Sequence, residues 1–267
     1  MPGGHGTKGV DNVQYLREGD GVTDLSPQRT GRVTASRFRD VMAEPRSKAA
    51  RDAGELGESA LTYMSELLAE RITGQRADDW GGNQATQWGN TFEPHARNLY
   101  SEFTGHEVTL PGFQKWATAD RVGCTPDGFV GTKGGLEIKC PHSPKEHLKT
   151  WFSRKLPAQY RAQVQGSLWV TEREWWDFVS FDPRYEDVTS AFVLIRIERD
   201  EAFIQLLERA CRRFLQEMER RLAMLAAGRV VGDFVAPAAD FTAEALKVAR
   251  LCIPPIQLHY QGEAITI

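Results

Sequence analysis

The chain has 267 residues, 41% of them hydrophobic and 26% charged, an ordinary globular composition with room for one large domain. A formal net charge of −3 and a pI near 6.1 exclude a globally basic surface, so a nucleic-acid partner would have to be met by local clusters of charge. No stretch of about 18 apolar residues is present to span a bilayer, and Met1–Gly6 lacks the apolar segment of a secretory signal, so a cytoplasmic protein with no membrane partner is expected.

Residues 1–25 are Gly-rich with scattered charge and read as a flexible arm. Thr34 or Ser36 can cap a short helix that carries Phe38 and Val41. Leu61, Leu67, Leu68 and Ile72 give residues 55–73 an amphipathic helical pattern, which Gly74 ends. Residues 76–90 are polar and read as a loop. Phe92, Ala96, Leu99, Tyr100 and Phe103 then recur at helical spacing up to Gly105, with Glu93 at the start of that helix. Short strands separated by Gly and Pro turns fill 107–140.

Helical patterns return over 145–156 and 157–171, divided by Pro157, and are followed by strands over 174–181 and 191–197. A long helix over 199–227 carries apolar residues from Phe203 to Leu225 at spacings of three and four, with its arginines and glutamates interleaved on a solvated face. Residues 228–240 resemble a linker, 241–252 a weak helix, and the chain ends in a short alternating segment beyond Pro254-Pro255. Cysteines 124, 140, 211 and 252 match neither zinc nor iron–sulfur spacing and read as reduced packing thiols. The layout is an α/β (α+β) fold, a mixed central sheet flanked by helices.

One constellation carries chemistry. Asp127 follows Thr125-Pro126, and ten residues later Glu137 and Lys139 flank Ile138. On a strand, Glu137 and Lys139 share a face, so Leu136 and Ile138 can face a core while the two charged residues point outward together. A Glu-x-Lys strand is ordinarily a solvated face, and Pro-Asp-Gly an ordinary turn. Together, Pro-Asp, the gap, and Glu-x-Lys in an apolar strand are the PD-(D/E)xK nuclease arrangement. Two carboxylates and an ammonium suit metal-assisted phosphodiester cleavage: the acids hold Mg²⁺, and the lysine positions the attacking water or neutralises developing charge.

Five motifs in order resemble the YqaJ-like viral recombinase family, the lambda-type exonucleases of the PD-(D/E)xK superfamily. They are Arg29 with Val33-Thr34-Ala35-Ser36, Asn90-Thr91-Phe92-Glu93, Thr125-Pro126-Asp127-Gly128 with Glu137-Ile138-Lys139-Cys140-Pro141, Tyr160–Gln165, and Phe181-Asp182-Pro183-Arg184. The resemblance spans roughly 26–225. It implies a restriction-endonuclease-like core over 26–227 as the exonuclease domain, with 228–267 a C-terminal extension of unassigned role.

It implies an alkaline exonuclease that digests one strand of duplex DNA from the 5′ end and releases mononucleotides. The product is a 3′ overhang for phage-type recombination by strand annealing, with a single-strand annealing protein as partner. The cofactor would be Mg²⁺, with Mn²⁺ able to substitute, as two ions per site, and the assembly a ring-shaped homotrimer threaded by DNA.

Carried over residue by residue, Asp127, Glu137 and Glu93 would be metal ligands, joined by the Ile138 backbone carbonyl. Lys139 would position the water, and Gln163 would orient that water or a ligand. Arg29, Ser36, Thr125 and Lys145 would bind the terminal 5′-phosphate, which suits a charge-assisted bond from arginine. Lys145 stands where lambda-type members carry arginine. The rivals are an endonuclease of restriction or repair type and a non-catalytic DNA-end-binding protein.

Overall fold

The computed structural model describes residues 26–76, 84–226, 257–260 and 263–266. The expected arm over 1–25, the linker over 228–240 and the helix over 241–252 lie outside the described residues. Helix α1 (Ser26–Arg29) leads through a turn at Gly31 into strand β1 (Val33–Thr34), a 3-10 turn over Ala35–Arg37 and helix α2 (Phe38–Val41). Neither Thr34 nor Ser36 caps a helix there: the two hydroxyls instead lie 3.2 Å from each other. Helix α3 (Lys48–Asp52) is capped by Ser47, whose hydroxyl accepts the Ala50 N–H at 3.1 Å. Helix α4 (Glu58–Thr73) stops at Gly74, whose φ of 70° is the left-handed value its sequence position calls for.

Helix α5 (Gln84–Thr104) begins earlier than the sequence suggests, because residues 84–90, expected as loop, form its first turns. Trp88 and Phe92 lie four residues apart and pack with ring centroids 4.4 Å apart, which extends the apolar stripe back into a polar segment. Glu93 is therefore well inside the helix, so its position owes nothing to the positive end of the helix dipole.

Strands β2 (Val108–Thr109), β3 (Gln114–Trp116), β4 (Ala119–Cys124), β5 (Gly128–Val130) and β6 (Gly134–Lys139) follow. Helices α6 (Pro144–Ser153) and α7 (Arg161–Thr171) connect them to strand β7 (Trp175–Phe181). Helix α8 (Val188–Ala191), strand β8 (Phe192–Glu198) and helix α9 (Glu201–Ala226) come next. A final hairpin, β9 (Gln257–Tyr260) with β10 (Glu263–Thr266), accounts for the alternating pattern at the chain's end.

The main sheet has the order β2-β5-β6-β7-β8, with β6 and β7 parallel and the other pairs antiparallel. A smaller sheet, β1-β4-β3, stands beside it. Helix α5 covers one face of the main sheet, where Ala96 and Tyr100 meet Leu136, Ile138 and Val179. Helices α2, α4, α7 and α9 pack on the other around Trp176 and Phe178.

Leu136 and Ile138 face the core as expected, but Glu137 does not face solvent; it is 1% exposed. The parallel β6–β7 pair is joined through α6 and α7, and that crossover covers the face an antiparallel hairpin would have left open. Gly166 permits the fit, since a Cβ there would lie 2.1 Å from the Phe38 ring. Among the described residues no helix is long and apolar enough to cross a membrane.

Candidate active site

The acidic residues meet at the carboxyl end of β6, where helices from both faces of the sheet reach its last residues. The β5–β6 register pairs Gly128 with Leu136, which sets Asp127 beside Glu137. Asp127 Oδ2 accepts the Ile138 N–H at 2.6 Å, fixing the carboxylate against the strand. Glu137 projects toward α7, where Gln163 Nε2 donates to its Oε1 at 2.6 Å. Lys139 Nζ lies 2.6 Å from the same oxygen and 5.3 Å from the centre of the Tyr160 ring.

Glu93 enters from α5 on the opposite side. Its carboxylate pairs with Arg97 one turn later, and Arg97 Nε also donates to the Asp127 carbonyl at 2.9 Å. Asp127, Glu137, Lys139, Gln163 and Glu93 are thus brought together as the sequence suggests. Arg97 was not foreseen. Its signal was present in the sequence: a basic residue four positions after Glu93, at the spacing that pairs charges on a helix.

Burial raises all three carboxylates, and mutual repulsion adds to the rise at Glu93 and Glu137. Burial, and then repulsion by Asp127, push Glu93 up to about 7. Burial raises Glu137 to about 8; Lys139 opposes the rise and Asp127 adds to it. Burial likewise raises Asp127. Lys139 is raised as well, for the opposite reason: burial disfavours its charge, but Glu137 and Asp127 outweigh burial and hold its proton more tightly.

Among the described residues Glu137 Oε2 is buried with no hydrogen-bond partner, although the other oxygen of the same carboxylate has two. A buried carboxylate oxygen without a partner is costly and calls for a cation. The donor set is all oxygen, which suits Mg²⁺ or Mn²⁺ rather than a thiophilic metal. Among the described residues no three acidic, histidine or cysteine side chains already converge as a preformed metal cage. Protein donors hold one oxygen each of Asp127, Glu137 and Glu93. The residues fit a divalent ion that would engage the remaining oxygens.

Two of the expected end-binding residues, Ser36 and Thr125, follow strands β1 and β4 of the neighbouring sheet. Strand β1 runs parallel to β4, with Thr34 opposite Gly123, so the turn carrying Ser36 arrives beside the segment from Thr125 to Asp127. That turn also packs on α7, the helix that bears Gln163. Ser36 is exposed, and Thr125 Oγ1 is buried without a hydrogen-bond partner among the described residues. Arg29 is half-buried at the end of α1. Lys145 is exposed at the head of α6, and no contact ties it to the carboxylates.

The model of the YqaJ-like viral recombinase domain matches residues 25–174. The chain belongs to that family. The crystal structure of an alkaline exonuclease, LHK-Exo from Laribacter hongkongensis, is 36% identical to this family member and has a TM-score of 0.68. The match covers 76% of this chain and 96% of that one, and a structure of LHK-Exo in complex with dAMP matches equally. A phage-related exonuclease from Haemophilus somnus 129PT, at 19% identity and a TM-score of 0.56, covers 73% of this chain and 96% of its own and shares the fold. The ExoD protein of Escherichia coli strain K12 is 33% identical over 78 residues, which is 29% of this chain and 85% of that protein. The mixed α/β architecture is of the PD-(D/E)xK exonuclease type.

Proposed function

We infer that this YqaJ-family chain is a divalent-metal-dependent exonuclease that degrades one strand of double-stranded DNA from its 5′ end. It would release mononucleotides and leave a 3′ single-stranded overhang. The observation that carries the reading is Glu137: one oxygen is gripped by Gln163 and Lys139, and the other is buried and without a partner among the described residues. The family and the likeness to LHK-Exo support a nuclease acting on DNA, and the structure of that enzyme with dAMP supports a nucleotide product.

Asp127, Glu137 and Glu93, with the Ile138 carbonyl, would hold Mg²⁺ or Mn²⁺, two ions when fully loaded. When bound, such ions supply Lewis-acid polarisation of the scissile phosphate and water acidic enough to act near neutral pH. The chain's own residues do the rest. Gln163 fixes the Glu137 carboxylate through its amide N–H. Lys139, its positive charge secured by two acids, orients the attacking water and offsets charge that builds on the phosphoryl oxygens. Asp127 is held by the Ile138 N–H, and Arg97 sets its backbone.

Arg29, Ser36, Thr125 and Lys145 would receive the terminal 5′-phosphate and so set the cleavage register at one nucleotide per step. A ring-shaped homotrimer would keep the duplex enclosed between steps, and an annealing protein would take up the exposed strand. The test compares linear with covalently closed circular duplex in Mg²⁺ and in excess chelator. Degradation of the linear form only, abolished by chelator, is expected. Cutting of the closed circle would assign an endonuclease, and tight end binding with no cleavage in Mg²⁺ would assign an end-binding protein.

A further inference from the structure

One side of α4 grips the segment that carries Ser36. Tyr63, Glu66, Glu70 and Arg71 lie at spacings of three, four and one, which places them along one side of a helix. Each bonds the stretch from Gly31 to Arg37. The Gly31 N–H donates to Glu70 Oε2 at 2.7 Å, and the Gly31 carbonyl accepts from Arg71 Nε at 2.9 Å and Nη2 at 2.8 Å. Gly31 has a φ of 65°, and a Cβ there would run into the Arg71 side chain, so this turn requires glycine. Arg37 Nη1 donates to Glu66 Oε2 at 2.7 Å, and its guanidinium lies 4.2 Å above the Tyr63 ring.

Tyr63 stands at the centre of this grip and is buried. Its hydroxyl donates to the Arg32 carbonyl at 3.3 Å and accepts the Thr34 N–H at 3.1 Å. Thr34 Oγ1 lies 3.5 Å from that hydroxyl but 3.2 Å from Ser36 Oγ. The Tyr63 proton is committed to Arg32, and its oxygen is already engaged by the Thr34 amide. The better acceptor for the Thr34 hydroxyl proton is therefore Ser36 Oγ. A serine oxygen that accepts from behind keeps its own proton for a partner in front. A phosphate offers acceptors and no donors at its ionised oxygens, so an outward donor is the polarity it needs.

We propose that Tyr63 is a positioning residue for end recognition, which acts through the Thr34 hydroxyl to hold Ser36 as an outward hydrogen-bond donor toward a terminal phosphate. The proposal rests on the reading of Ser36 as a 5′-phosphate ligand. Without the Tyr63 hydroxyl, nothing beside Thr34 sets the direction of its hydroxyl proton, and Ser36 is free to donate inward.

The experiment measures kcat/KM on linear duplexes bearing a 5′-phosphate and on the same duplexes bearing a 5′-hydroxyl, for wild type, Ser36→Ala, Tyr63→Phe and Thr34→Val. Thr34→Val removes the relay hydroxyl while leaving both backbone bonds of Tyr63 in place, so it serves if Tyr63→Phe folds poorly. The ratio of the two substrates isolates end recognition, because a general loss of folded enzyme lowers both equally. Each variant should reduce the phosphate preference roughly three- to tenfold, mainly through KM. Adding Tyr63→Phe to Ser36→Ala should reduce it no further. If Ser36→Ala lowers the ratio while Tyr63→Phe and Thr34→Val leave it at the wild-type value, the relay is wrong and the phosphate reading stands. If Ser36→Ala leaves the ratio unchanged, the phosphate reading falls and takes the relay with it.

Discussion

Glu137 concentrates the physics of the site. It is buried, shares one oxygen between an amide and an ammonium, and has a second oxygen with no partner among the described residues. Glu137→Gln should lower nuclease turnover on the order of 10³-fold while the protein stays folded; turnover within tenfold of wild type would remove Glu137 from the chemistry. The same burial sets a pH dependence. Glu93 near 7 and Glu137 near 8 stand above the ordinary value of 4.5, so the folded protein takes up protons relative to the unfolded chain. Their contribution to stability is complete below about pH 4.5 and is lost as pH rises through 7 and 8. Metal-free protein should therefore lose stability, and with it Tm, between pH 5 and pH 8.5. Glu137→Gln should flatten that slope. Mg²⁺ should raise Tm more at pH 8.5 than at pH 6, because it then competes with fewer protons. A Tm that rises with pH in the absence of metal, or an Mg²⁺ effect larger at pH 6, would contradict this electrostatic account. Glu137 and Lys139 were legible in the sequence because strand alternation fixes which residues share a face, and Asp127 because Pro-Asp precedes them at the spacing of the motif. Arg97 was missed although its spacing from Glu93 was visible, because its second partner, the Asp127 carbonyl, is brought to α5 only by the fold.

At the scale of elements, the site depends on how closely α7 approaches α2 and β6. Gly166 makes that approach possible, and α7 carries Gln163 to Glu137. Gly166→Ala would force the methyl group against the Phe38 ring, with an expected cost of about 1–3 kcal/mol from overpacking. Turnover should fall along with stability, because Gln163 moves with the helix. A variant with unchanged Tm would show that the contact is easily relieved. Helix ends marked by glycine, such as Gly74 and Gly105, were readable from the sequence because left-handed caps select that residue. The start of α5 was not, since Gln84–Asn90 has a loop composition and is helical through packing such as Trp88 on Phe92. The local pairing of Thr34 with Ser36 also escaped the sequence, where both hydroxyls looked like helix caps.

For the molecule as a whole, the sequence indicated a mixed sheet flanked by helices, but not that the β6–β7 crossover would close over the face that carries Glu137. Glu137 consequently looked solvated and is buried. That difference turns an ordinary charged strand into a site that favours a cation, since the second oxygen of Glu137 is buried without a hydrogen-bond partner among the described residues. The acidic centre sits in a chain of net charge −3, so DNA would be drawn in by local cations and bound metal rather than by the overall field. Activity should therefore depend on Mg²⁺ concentration even at DNA levels that saturate the ends; indifference to Mg²⁺ would contradict the account.

The most direct test of the central claim is digestion of a linear duplex labelled at the 5′ or the 3′ end of one strand, with Mg²⁺ and with that strand's 5′ end phosphorylated. The account predicts immediate release of the 5′ label as mononucleotide, while the 3′ label stays in long products until late. Early release of the 3′ label, or internal fragments from both labels, would contradict it.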